Sequence, residues 1–128
     1  MFSKSDVVFT YSRSQALADG NLVDLTEQAK EYGFKIPLAC TDTLWRMIEW
    51  DETHKADAGQ STCGRLHDVL TLAIHAARTV EGNRAVFKVL MVPHEGESIE
   101  PKEVSMHMVI GPGDTPEPVL TLMLIHED

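Results

Sequence analysis

The sequence predicts an α+β fold: about four N-terminal helices packed on a C-terminal, mainly antiparallel sheet of three strands, with residues 6–10 as a candidate fourth strand. Three observations carry this. Apolar residues recur with helical spacing up to about residue 80, and after residue 84 they gather in short strand-like runs. Capping residues and glycines punctuate the first part, and proline- and glycine-containing turns punctuate the second. The length of 128 residues, with 43% hydrophobic and 24% charged side chains, suits a single domain with one core over residues 1–128.

The elements follow in order. Residues 5–11 contain a short apolar run that reads as an edge strand. Ser12-Arg13-Ser14-Gln15 has the form of a capping box, in which the Ser12 hydroxyl accepts the Gln15 N–H and the Gln15 amide bonds back, and Gly20 stops the short helix that follows. A second helix over 25–32 starts at Asp24 and stops at Gly33. A third, capped by Thr41 or Asp42, runs to about Trp50 and sets Leu44, Trp45 and Ile48 on one face. The polar stretch 51–60 reads as an exposed loop and the best candidate for mobility. Leu66, Val69, Leu70, Ala73, Ala77 and Val80 mark the clearest helix, at about 62–80.

Residues 85–92, 103–110 and 119–125 are the three expected strands, joined as a meander. In the second, Val104, Met106, Met108 and Ile110 alternate with Glu103, Ser105 and His107, so the latter set is expected to face water. The first and third are more continuously apolar, which suggests interior strands or cover on both faces. Gly111-Pro112-Gly113-Asp114-Thr115-Pro116 is a turn, and 93–101 a longer acidic loop.

Composition excludes several functions. The net charge is −9, with six Lys/Arg against ten Asp/Glu over residues 1–60 and five against ten over 61–128. With no basic run to neutralise phosphates, direct nucleic-acid binding is disfavoured, although the same charge suits a protein that imitates nucleic acid. No apolar stretch approaches the roughly 20 residues that cross a bilayer, and no basic-then-apolar signal opens the sequence, so a cytoplasmic, membrane-free setting is expected. Cys40 and Cys63 form neither a disulfide framework nor a zinc pattern, and the six histidines lack ligand spacing. No motif calls for a cofactor, a metal or a catalytic residue.

The most distinctive string is 59–68, Gly-Gln-Ser-Thr-Cys-Gly-Arg-Leu-His-Asp, at the start of the longest helix. Free N–H groups there attract anions, so Gln60, Ser61, Thr62, Arg65, His67 and Asp68 are the candidate binding residues; the plainer account has Ser61 or Thr62 capping and Arg65 paired with Asp68. The string lacks the P-loop pattern. Cys63 and His67 share a helical face as a thiol and a base would, with no orienting third group evident. Trp45, with Trp50, is a candidate aromatic recognition patch, weighed against a place in the core or at its margin.

The strings 11–20 with Leu22-Val23-Asp24, 44–50, 59–70, Val89-Leu90-Met91-Val92-Pro93 and Gly111-Pro112-Gly113-Asp114 together resemble an uncharacterised family of small proteins found on plasmids, phages and conjugative elements. The resemblance spans nearly the whole chain and implies an accessory gene of a mobile element; it brings no catalytic residue. The leading expectation is a non-enzymatic protein that binds a host or element-encoded protein or a small ligand. Alternatives are an acidic inhibitor of host defence that mimics nucleic acid, and a small enzyme or anion-binding protein with its site at 60–68. Monomer and homodimer both stay open.

Overall fold

A computed structural model describes residues 12–79 and 82–127. In chain order its elements are α1 (Arg13–Asp19), β1 (Leu22–Asp24), α2 (Thr26–Lys30), β2 (Leu38–Thr41), α3 (Asp42–Ile48), a 3-10 turn (Ala56–Ala58), α4 (Thr62–Thr79), β3 (Arg84–Met91), β4 (Lys102–Pro112) and β5 (Pro118–Leu124). Among the described residues the sheet has five strands, in the order β1-β2-β5-β4-β3. Strands β3, β4 and β5 form the expected antiparallel meander, whereas β2 joins β5 in parallel and makes the sheet mixed.

The expectation of three strands is therefore corrected to five. Helices do not simply precede the sheet, because β1 and β2 lie among them. Each is only three or four residues long, too short to show a period, and β2 pairs Leu38 with Leu120 across most of the sequence. The candidate strand at 6–10 lies outside the described residues.

Local chemistry explains the helix ends. Around α1 the capping box forms at both bonds, and Gly20, at φ 81°, turns the chain out while its N–H reaches Ala16 O and Leu17 O. The Asp114 carboxylate accepts the Arg13 and Ser14 N–H groups at 2.7 and 3.0 Å, so the Gly-Pro-Gly-Asp turn supplies a second, remote cap. Helix α2 is shorter than expected: Asp24 binds the Thr26 N–H and hydroxyl, and the chain leaves through Gly33 at φ 101°. Thr41 caps α3 through the Leu44 N–H, and α3 ends at Ile48, short of Trp50.

One face of the sheet carries Leu38, Cys40, Phe87, Val89, Met106, Met108 and Leu122, and Leu44, Ile48, Val69, Leu70 and Ala73 from α3 and α4 close over it. Leu25, Ala29 and Phe34 complete the core. On the other face, the Arg13 guanidinium binds Thr121 Oγ1 and Leu120 O, both at 2.8 Å, and fixes α1 beside β5.

Two strand expectations are corrected. β3 is an edge strand with strict exposed–buried alternation, not an interior one, and leaves Val86 58% and Leu90 59% exposed. His107, expected to face water, is fully buried; its Nε2–H donates to Glu127 O in the turn after β5 at 2.9 Å, and among the described residues Nδ1 has no partner.

Candidate functional site

Arg65 enters the first turn of α4 and is 3% exposed. Its side chain turns inward, toward the C-terminal end of α3. Nε–H donates to Met47 O at 3.1 Å and Ile48 O at 3.2 Å, Nη1 to Gln60 Oε1 at 2.9 Å and Val92 O at 3.0 Å, and Nη2 to Met47 O. The guanidinium carbon also lies 4.8 Å from the Trp50 ring centroid. A cation thus meets the helix end where carbonyls are unpaired and the dipole is negative. Burial pushes the guanidinium down from its ordinary pKa, and the nearby Asp68 charge opposes that shift.

The other residues of the string divide between scaffold and surface. Ser61 Oγ accepts the Gly64 N–H at 3.0 Å and caps α4. Thr62 Oγ1 accepts the Trp50 N–H at 2.9 Å and ties α4 to the chain leaving α3. Gln60 is the side chain that receives Arg65. His67 and Asp68 are exposed. With Gly59, Gln60, Ser61, Gly64 and Arg65 they line a cleft of about 250 Å³. Trp45, half-buried, packs against the core and lies away from this cleft.

Tyr32, which sequence spacing gave no reason to include, joins the site. Its hydroxyl shares a 2.8 Å hydrogen bond with His67 Nδ1, and the rings lie 5.5 Å apart. Burial, then the charges of Glu31, Cys63 and Asp68, push the Tyr32 pKa up, so the hydroxyl stays protonated. Cys63 is exposed on the same helical turn. The bond to Tyr32 occupies the His67 nitrogen Nδ1.

Loop 51–60, mostly exposed as expected, is joined to loop 93–98. Lys55 adopts a left-handed conformation, φ 49°, and its ammonium donates to Pro93 O, Glu95 O and Ser98 O at 2.7, 3.1 and 2.9 Å. His54 Nε2–H donates to His94 O, and His94 Nε2–H to Met47 O at 3.0 Å. Both rings sit on Trp50, with centroids 5.6 and 5.1 Å away. The tie was hidden because lysine in a polar run reads as solvated; only the folded backbone supplies three carbonyls at one point.

A second groove, of about 490 Å³, shares His67 and Asp68 with the first and continues between α4 and β3 along Thr71, Leu72, Lys88, Val89 and Leu90. A smaller apolar cavity of about 220 Å³ lies at the far end of α4. Among the described residues, no three His, Cys, Asp or Glu side chains are placed to hold a metal ion. Nor is any helix long and apolar enough to cross a membrane.

Residues 1–128 match the model of a family of unknown function, DUF6573. No curated protein and no solved structure matches the chain.

Proposed function

The chain belongs to DUF6573, and from that premise we propose that it is a non-enzymatic accessory protein of a mobile genetic element that acts by binding another protein. The observation that carries this reading is the exposure of Val86 and Leu90 on β3, beside a groove of about 490 Å³. Two apolar side chains more than half exposed on one face of a sheet edge, four residues apart, are the kind of surface a partner covers. The resemblance of the 11–24, 44–50, 59–70 and 111–114 strings to plasmid, phage and conjugative-element proteins supports the mobile-element setting. The distinctive 59–68 string fits the same reading: all three nitrogens of Arg65 are engaged by the protein itself.

Capture from cells carrying such an element, followed by reconstitution with the purified partner, tests the proposal. A specific complex weakened by Val86→Ser with Leu90→Ser supports it. Failure to recover any partner that binds the purified protein, from several element-bearing hosts, refutes it.

One observation favours a second reading, an inhibitor of host defence that imitates nucleic acid. Lys55 and His54 bring two acidic loops side by side, so Asp51, Glu52 and Asp57 share a surface region with Glu95, Glu97 and Glu100, all exposed. Unchanged restriction and CRISPR interference in cells expressing the protein would count decisively against it.

A further inference from the structure

We infer that the open edge of β3 is a strand-addition site for an extended partner segment whose residues opposite Val86, Lys88 and Leu90 are apolar, acidic and apolar. This deepens the protein-binding reading above and rests on it.

Backbone register defines the edge. In the β3–β4 pair Ala85 lies opposite Met108 and Phe87 opposite Met106, and the Ile110 N–H donates to Asn83 O. Antiparallel bonds alternate, so residues 85, 87, 89 and 91 direct their backbone groups to β4, and Val86, Lys88 and Leu90 direct theirs outward. Among the described residues β3 pairs with no other strand. The outward groups belong to the same residues whose side chains are exposed on the face away from the core. An added strand would therefore find N–H and C=O partners and an uncovered row of side chains at once.

The composition of that row selects the occupant. Side chains directly opposite each other across a strand pair interact, so Val86 and Leu90 favour apolar partners and Lys88 favours a carboxylate. Residues 84–91 carry two cations and no acid, in a chain of net charge −9. The intervening side chains of an added strand enter the groove beside Thr71 and Leu72 of α4, which gives them a half-apolar floor. A second copy of β3 fits poorly. With core faces continuous, antiparallel self-pairing about Lys88 sets lysine against lysine, and pairing about Phe87 sets Lys88 against Val86 and Arg84 against Leu90. Lys88 at mid-edge thus opposes indiscriminate pairing and selects an acidic segment.

Two synthetic peptides decide this: Thr-Val-Thr-Glu-Thr-Leu-Thr and its counterpart with lysine in place of glutamate, each also in reversed order. They are titrated into the full chain with amide NMR and hydrogen exchange as readouts. In one of the two orders, the glutamate peptide is expected to shift and protect the Val86, Lys88 and Leu90 amides and to bind about fivefold tighter than the lysine peptide. Lys88→Glu reverses that preference without altering the fold, and Val86→Pro, which removes one outward N–H, abolishes protection. Absence of β3 shifts with every peptide, or equal binding of both charge forms, overturns the proposal. So does a dimer whose β3 amides are protected without peptide, because the occupant is then a second copy. A captured partner that binds Lys88→Glu and Val86→Pro as it binds the unaltered chain refutes strand addition and leaves the protein-binding function standing.

Discussion

Replacing Arg65 with alanine tests the role assigned to the most distinctive residue of the sequence. The substitution removes the N–H groups that reach Ile48 O, Val92 O and Gln60 Oε1; Met47 O keeps the His94 donor. A buried acceptor left without its partner costs about 1–3 kcal/mol, and two main-chain carbonyls lose theirs. Loss of the guanidinium–Trp50 contact adds about 1 kcal/mol. The expected loss of unfolding free energy is about 4 kcal/mol, with Tm lower by about 10–20 °C in a chain of this size. Urea titration followed by tryptophan fluorescence and thermal circular dichroism measure it. Asp68→Ala, an exposed control on the same helix, is expected to change stability by no more than about 0.5 kcal/mol. If Arg65→Ala stays within about 1 kcal/mol of the unaltered protein, the guanidinium is not a structural clamp, and the anion-site account of residues 60–68 becomes the better one.

Three further outcomes follow from the same contacts. Asp114→Ala leaves the Arg13 and Ser14 N–H groups without their remote cap and is expected to destabilise by about 1 kcal/mol, with faster hydrogen exchange confined to α1. Lys55→Met releases the three loop carbonyls; exchange over 93–98 rises while the amides of β4 and β5 keep their protection. Burial, with Glu127 and Asp42 nearby, pushes the Cys40 thiol up to about 12 from 9.0. The folded chain then holds a proton that the unfolded chain releases, so this contribution is intact below pH 9 and falls by about 1.4 kcal/mol per pH unit as pH rises toward 12. Denaturant titrations of the parent and Cys40→Ala across that range check it, and parallel slopes would rule the shift out.

Features written in neighbouring residues were legible in the sequence. The Ser12 capping box, the Gly20 stop and the amphipathic run of α4 each depend on side chains within a turn or two of one another, and all three appear where expected. The failures share a different physics. β1 and β2 exist because distant strands complete them, and nothing within Leu38–Thr41 announces Leu120. β3 read as interior because Val86 and Leu90 interrupt the polar half of its alternation; its position at the edge is set by strand order, which no local window contains. His107 looked solvent-facing because the turn that meets it, at Glu127, lies twenty residues further along the chain. At the candidate site, residue types pointed to the right segment, yet an arginine beside a serine and a histidine looks the same whether its guanidinium turns out or in. Tyr32 escaped notice because helix α4 meets it from far along the chain.

The position of β5 also orders events in time. It is the middle strand of the five, and it is the last of them to be synthesised. Until residues 118–124 leave the ribosome, the β1-β2 and β3-β4 pairs lack the strand that joins them in the folded sheet. Joining the two pairs is therefore a late, non-local event, possible only after the strands that flank β5 have been made.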